Sequence, residues 1–353
     1  MREMRVLSPT GSLGYGFPLA SFEEGMARRP HVIAADSGST DAGPYYLGSG
    51  RAHRPRGLLE RDLEILLKAA RRAGIPLIVG SAATAGGEPH LQLAVEIVRE
   101  IAREQGLRFR LGIIHAEQEK AWVRAKLDQG KIRPFPGMAP LTPRDVDSST
   151  RIVAQMGVGP FLKALEEGAD VIIAGRSCDT ALFAALPVLH GFDFALSIHM
   201  GKIVECGAQS AVPFSPSDCC LAYLHDDSFV LDPLNPARRF TPVSVAAHSL
   251  YEQGDPYLIY EPDGVVDLSE ARYEQVDDRR VRVSGARFRR CDGSPTLKLE
   301  GAAPEGFRTI AIGGIRDPIL VEQLESVRRG VLDELAAPRG GRGRPEQSGV
   351  WFR

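Results

Sequence analysis

The sequence predicts an α/β fold: a doubly wound, mostly parallel sheet flanked by helices, followed by a smaller C-terminal α+β region containing antiparallel strands. Three observations carry that expectation. Short apolar runs without polar alternation recur through the first half, as in strands buried on both faces. Longer stretches with helical spacing separate them. After Asp226 the pattern changes to alternating or β-branched runs joined by Asp-Gly and Ser-Gly turns, which is the pattern of hairpins.

The first strand is expected at Val6-Leu7 and the second over His31–Ala35. A helix follows, because Leu59, Leu63, Leu66, Leu67 and Ala70 share one face and Gly74 suits a C-cap. Pro76–Val79 is the third strand, and Leu93, Val95, Ile97, Val98 and Ile101 mark a helix that runs out by Gly106. Leu111–Ile114 is the fourth strand, and a helix around Ala121–Val123 and Leu127 stops near Gly130. Residues 131–145 form a Pro-rich connection, open between linker, lid and surface loop. A helix from about Asp147 to Glu167 is expected to lead into the Val171–Ala174 strand, and another to begin at Ser215–Asp218 and carry Cys219-Cys220. Asp267-Leu268, Tyr273–Val276, Arg280–Val283 and Thr296–Leu299 supply the hairpins, and Ile319–Leu335 returns to helical spacing. Pro338–Pro345 is low in complexity. The expected domains are residues 1–225, an α/β domain carrying the cleft; 226–337, a smaller α+β region; and 338–353, a mobile tail.

At 353 residues the chain is long enough for about two domains. Forty-three Lys and Arg balance forty-five Asp and Glu, for a net charge of −2, so no general pull toward nucleic acid or an anionic membrane is expected. No run approaches the roughly 20 apolar residues of a membrane span, and Met1–Leu7 lacks the apolar stretch of a signal peptide. The five cysteines are odd in number and form no CxxC pair, which argues against a disulfide framework or a cysteine zinc site. A reduced, cytoplasmic setting is expected.

In an open parallel sheet, ligands bind beyond the carboxyl ends of the strands. Those ends are rich here in small and reactive residues: Ser8–Gly16, Asp36–Gly43, Gly80–Gly87, His115–Glu117 and Gly175–Thr180. The loop around Gly14 reads Gly-x-x-Gly-x-Gly, not the dinucleotide fingerprint, although Asp36 lies about twenty residues on. A tight strand-to-helix turn explains it better than NAD or FAD. Asp36-Ser37-Gly38-Ser39-Thr40 resembles the phosphate loop of actin-like ATPases. A strand–helix unit precedes it and Pro44-Tyr45-Tyr46 follows, so ATP hydrolysis is disfavoured. Its glycines still suit an anion nest, and Asp41 lies within reach. Gly80-Ser81 and the small residues after them carry no P-loop lysine, but they permit close approach of a ligand to the backbone. No cofactor is identified, and metal dependence is left open because no HxxxH-type spacing occurs.

His90, near a helix start, reads equally well as a neutral ligand-contact group and as a solvated first-turn residue. His115 and Glu117 fall on one face if their strand continues, giving a His oriented by a carboxylate as general base; a core histidine is the competing reading. Arg176 is a natural clamp for a carboxylate, while Asp179 serves the same rim or caps the next helix. Cys178 is a nucleophile only if that helix lowers its pKa, and a buried free thiol is commoner. Cys219 and Cys220 read as core residues; His199 and His248 read as core histidines or, together with His90 or Asp36, as metal ligands, for which no HxxxH-type spacing speaks.

The runs Ser8–Phe17, Ala35–Gly50, Ile113–Glu119, Arg151–Met156 with Ala174–Ala184, and Asp232–Tyr251 resemble the acyclic terpene utilisation protein family, in order and over the chain to about Leu320. The family is named for a gene cluster that degrades citronellol and geraniol. The resemblance implies a hydratase- or lyase-like step on a carboxylate or acyl-CoA thioester, in company with a small companion protein. It carries over no catalytic residue. Where this chain has Ser177-Cys178-Asp179, relatives resemble Ala-Thr-Asp, so Cys178 is not a family-wide nucleophile while Arg176 and Asp179 keep their candidacy.

The leading expectation is therefore a hydro-lyase-like enzyme, with His115 and Glu117 supplying the base and Arg176 and the Gly38 and Gly80 loops the oxyanion donors. A non-catalytic ligand-binding or scaffolding subunit is the alternative. Hydrolysis ranks last, since no Gly-x-Ser-x-Gly elbow occurs. A homo-oligomer is expected from the habits of metabolic proteins of this size.

Overall fold

The computed structural model describes residues 2–38, 40–306 and 314–336. Strands and helices alternate first: β1 (Met4–Ser8), α1 (Leu19–Ala27), β2 (Val32–Asp36), α2 (Pro44–Ser49), α3 (Arg56–Ala73), β3 (Leu77–Gly80), α4 (Glu88–Glu104) and β4 (Leu111–Ile114). There follow α5 (Lys120–Asp128), α6 (Pro143–Ser148), β5 (Arg151–Gln155), α7 (Gly159–Glu166), β6 (Val171–Ala174), α8 (Asp179–Leu189) and α9 (Phe194–Val204). The chain then turns strand-rich: β7 (Cys220–Leu224), β8 (Ser228–Pro233), α10 (Pro242–Ser249), β9 (Leu258–Glu261), β10 (Gly264–Asp267), β11 (Arg272–Gln275) and β12 (Val281–Ser284). The described elements end with β13 (Arg287–Arg290), β14 (Lys298–Ala302), α11 (Pro318–Glu322) and α12 (Leu324–Ala336).

Nine strands form one sheet in the order β11-β12-β8-β7-β1-β2-β3-β6-β4. Neighbours from β1 to β4 in that row run parallel, and those from β11 to β1 run antiparallel. The parallel strands β1, β2, β3 and β6 are buried almost throughout, which accounts for their unbroken apolar sequence. Successive residues alternate between two cores. Leu7, Ile33 and Val79 meet Phe22 of α1, the leucines of α3 and the apolar stripe of α4. Val6, Ala34, Ile78 and Ile172 meet α8 and α9 on the other face. Gly74 closes α3 in the left-handed conformation, as its position suggests.

This winding creates a switch point. From β3 the chain leaves through α4 on one face to reach the edge strand β4; it returns to β6, between them, and leaves through α8 on the other face. Connections diverging to opposite faces mark the carboxyl ends of β3 and β6 as the place where open sheets of this kind bind ligands.

Two local expectations need correction. The stretch from Asp147 to Glu167 is not one helix: β5 interrupts it, with β-branched Ile152-Val153 paired to β14. Cys219-Cys220 does not sit on a helix, because Cys220–Leu224 pairs with both β1 and β8. All five cysteines are free. The expected boundary after residue 225 falls in the turn between β7 and β8, which are neighbours in the large sheet. The compact unit extends from Met1 to Pro304, and residues 305–353 form a second unit in which α11 and α12 are described. The Pro-rich connection is a surface loop, with Ile132 and Leu141 packed on a small cluster of Val123, Val146 and Ile152. The expected tail, residues 338–353, lies outside the described residues. No helix among the described residues is long and apolar enough to cross a membrane.

Candidate functional site

The ends of β1, β2, β3 and β6 meet as the sequence suggests, and close packing draws their loops together. A Cβ at Gly38 would stand 2.9 Å from the Thr84 Cα, and one at Gly86 would stand 2.2 Å from the Arg176 amide nitrogen. Gly80 leaves room for the Ser177 hydroxyl, 2.6 Å from where a Cβ would be. Ser37 continues the β2–β3 ladder by donating its N–H to the Gly80 carbonyl. The turn after β3 is strained: Ser81, Ala83 and Thr84 have φ of 46°, 47° and 96°, a conformation that costs non-glycine residues about 1–3 kcal/mol each.

Arg176 is the hub. Nearly fully buried, it reaches Glu300 of β14 through Nε (3.0 Å) and Nη2 (3.4 Å), and donates from Nη1 to Ser81 Oγ at 3.0 Å. The same Nη1 lies 3.5 Å from Asp179 Oδ1. Burial works against the Arg176 charge, and the carboxylates of Asp179 and Glu300 outweigh it, so its pKa is raised. Glu300 also accepts from Thr40 Oγ1 at 3.1 Å and pairs with Lys298 at 2.6 Å. Burial pushes the Glu300 carboxyl up, but Arg176 more than compensates, and its pKa is lowered.

Around this ion pair stand carboxyls of the opposite character. Asp36, at the end of β2, is buried; its Oδ2 accepts the Gly38 N–H at 2.8 Å, and its Oδ1 has no partner among the described residues. Burial, then the Asp179 charge, raise its pKa well above the ordinary carboxyl value, despite Arg176. Asp179 is raised by burial too, with Arg176 and Lys202 opposing and Asp41 among the charges that add to it. At the end of α9, Lys202 donates to Glu205 at 2.5 Å, both buried, and burial lifts Glu205 to about 8. Glu261 of β9 accepts from Thr180 Oγ1 at 2.5 Å, while its other oxygen has no hydrogen-bond partner among the described residues; burial raises it to about 7.

The structure thus brings together Asp36, Ser37, Gly38, Gly80, Ser81, Arg176 and Asp179, with Asp41 within their electrostatic field. Ser39 lies outside the described residues. The proposed base dyad is not formed. His115 is exposed and pairs through Nδ1 with Glu88 at 2.8 Å, whereas Glu117 accepts the Glu88 N–H at 2.7 Å and faces Arg151. The chain turns after Ile114 to meet β5, with Glu117 bridged to Val153, so the strand does not continue as the same-face argument requires. His90 is buried rather than solvated, Nε2 against the Arg51 carbonyl at 3.0 Å, and burial lowers its pKa. The Gly14 N–H, expected to face a ligand, donates to buried Asp62 at 2.7 Å, as does that of Gly16 at 3.0 Å. Burial also pushes the Cys178 thiol well up, which removes the thiolate a nucleophile needs. His199 is a core residue, as expected, bonded to Ser249 and Tyr273.

Sequence reasoning missed Lys202, Glu205, Glu261 and Glu300. For the first two a signal existed: an i,i+3 charged pair at the end of a helix otherwise apolar all round. Glu261 and Glu300 sit in strands with no local mark of function. Among the described residues no group of His, Cys, Asp and Glu is arranged to hold a metal ion. A groove of about 670 Å³ runs between the β4 edge and α7, lined by Arg110–Ile114, Lys163 and Glu167. It contains none of the groups above.

Comparison with known proteins gives one match. The model of the acyclic terpene utilisation family protein AtuA fits residues 50–214 and 230–343. No curated protein and no solved structure matches.

Proposed function

The chain belongs to the acyclic terpene utilisation family, and from that footing we propose that it is a hydro-lyase-type enzyme acting on a small carboxylic acid or its acyl-CoA thioester in the catabolism of acyclic terpenes or carboxylic acids. Adding or removing water beside a carbonyl requires a proton acceptor for the α-carbon and donors for the developing enolate oxygen. The observation that carries the reading is Asp36: a buried carboxyl with one oxygen unpartnered among the described residues, at the switch point, beside Arg176 and Asp179. Perturbed carboxyls gathered at one site are the usual equipment of proton transfer. Arg176 and Ser81 hold that equipment in place. The reading includes a cytoplasmic location and a homo-oligomer.

Proton NMR of enoyl thioesters and the corresponding acids in deuterated water tests it, by following hydration and exchange at the α-carbon. Arg176→Met and Asp36→Leu should each reduce turnover by about 100-fold or more. Full activity in both variants would sink the assignment.

A second reading has an observation of its own. The unit after Pro304 exposes Ile319, Leu320, Val321 and Val331 on α11 and α12, a surface suited to a partner protein. A ligand-binding or scaffolding subunit of a two-protein complex would show turnover only when a companion protein is supplied.

A further inference from the structure

Among the described residues the nine-stranded sheet has two unlike edges. β11 closes one with Arg272 and Glu274 exposed, charges that discourage pairing with a further strand. β4 ends the other with Leu111-Gly112-Ile113-Ile114, four uncharged residues, each only half-buried. Its ladder with β6 uses alternate residues: the Arg110 carbonyl accepts from the Val171 N–H at 3.2 Å, and the Ile114 carbonyl from that of Gly175 at 2.8 Å. The N–H and C=O of Leu111 and Ile113 therefore turn away from the sheet. They stand along the groove of about 670 Å³ whose helical wall carries Lys163 and Glu167 of α7. An apolar edge beside a groove is a template for one more strand.

Register and charge together say which strand fits. Two copies of β4 laid antiparallel with Gly112 opposite Gly112 bring Leu111 opposite Ile113 twice, and the outward groups form four N–H···O=C bonds. Glycine then occupies the closest approach of the two backbones, where facing Cα atoms stand about 4.5 Å apart. The helices match as well, because α7 runs against β4. At one end the Arg110 guanidinium donates to the Glu167 carbonyl, and midway a Cβ at Gly112 would lie 3.5 Å from that of Ala164. Exposed Glu167 thus lies toward the Arg110 end of the strand, and exposed Lys163, one turn earlier, toward the Ile114 end. A twofold axis at Gly112 reverses that order in the second copy and sets opposite charges face to face. We infer that the protein is a twofold dimer in which β4 pairs antiparallel with β4 of a second copy about Gly112, Lys163 facing the partner's Glu167 and Glu167 facing the partner's Lys163. The inference rests on the homo-oligomer included in the reading above and gives it a surface; it does not depend on the reaction.

Sedimentation equilibrium of the full-length protein from about 1 to about 100 µM should show a monomer–dimer equilibrium. Lys163→Glu and Glu167→Lys each set like charges opposite one another and should weaken dimerisation at least about tenfold. The double variant should recover the wild-type constant within about threefold, and an equimolar mixture of the two single variants should form heterodimers of similar strength. Leu111→Pro removes an outward N–H and spares those that bond β6, so it should yield a folded monomer; if it unfolds, the charge variants decide. Amide exchange of the peptide over residues 109–114 should be at least about tenfold faster in Lys163→Glu than in the wild-type dimer. A wild-type monomer throughout the range overturns the inference and the expected oligomer together. A dimer unmoved by both charge reversals, or a protected 109–114 peptide in a monomer, overturns this interface alone. A wild-type dimer that hydrates no substrate would defeat the lyase reading and leave the interface standing.

Discussion

Arg176 and Glu300 are joined by a two-point ion pair, Nε to Oε2 at 3.0 Å and Nη2 to Oε1 at 3.4 Å, across 124 positions of sequence. One residue follows β6, the strand beside edge strand β4 in the main sheet; the other belongs to β14, whose strand partner is β5 in a separate two-stranded sheet. The pair therefore fastens the late antiparallel segment to the switch point. Removing one partner leaves a buried charge uncompensated, so Glu300→Ala should cost about 3–5 kcal/mol. Urea denaturation of Glu300→Ala, Arg176→Met and the double variant checks this; the cycle should show a coupling of about 1–3 kcal/mol, and strict additivity would refute it.

Stability should fall as pH rises from 6.5 to about 8. Glu205 has a folded pKa of about 8 against an ordinary 4.5, and Glu261 one of about 7, so in this range the native state binds more protons than the unfolded chain. Such groups contribute full stability below 4.5 and lose it as pH climbs through the folded value. The buried histidines act in the other direction. His199, lowered to about 3, and His248, lowered to about 4, lose stability only as pH falls below 6.5. Denaturant midpoints at the two ends of the window should show the decline, and Glu205→Gln should make it shallower. A flat profile in wild type would contradict the assignment.

Glycines in identical left-handed turns should respond differently to alanine. Gly74 has φ of +67° with nothing within 4 Å of a new Cβ, so Gly74→Ala should cost about 1 kcal/mol. Gly86 has φ of +65°, but its Cβ would strike the Arg176 amide at 2.2 Å. Gly86→Ala should cost at least about 3 kcal/mol and disturb the Arg176 hub. Thermal unfolding of the two variants side by side decides it.

The thiol and the imidazole singled out by sequence should both prove dispensable. Cys178→Ala should keep turnover within about threefold, because the buried thiol stays protonated. His115→Ala should do likewise, since the ring is exposed and engaged with Glu88. Both Cys178 and Cys291 are partly exposed, and iodoacetamide should modify Cys291 first at neutral pH because burial pushes the Cys178 thiol well up. A 100-fold loss in either variant would return that residue to the catalytic machinery.

The parallel half of the sheet was legible because its strands are buried on both faces, and burial leaves an unbroken apolar run that needs no context to read. The same holds for α3 and α4, whose leucine stripes record the face they bury. β5 is not legible as a strand, since five residues flanked by helical segments carry too little periodicity to announce one. β7 was obscured by turn residues at 215–218 that resemble a helix start. At the switch point, Asp36, Ser81, Arg176 and Asp179 were accessible because each follows a strand, and parallel strands deliver their ends to one rim.

His115 followed a strand as well, yet the chain bends there toward β5, and one turn of the backbone sends the ring outward. By itself, then, the sequence determined which segments are buried and where the strands end, because those properties are encoded by local polarity and by small residues at turns. Tertiary structure alone decided the charge balance. Glu261 and Glu300 reach the switch point from β9 and β14, far along the chain, and Lys202 with Glu205 from the end of α9. Whether a carboxyl there holds its proton depends on desolvation and on neighbours at a few ångströms, and neither is a property of adjacent residues.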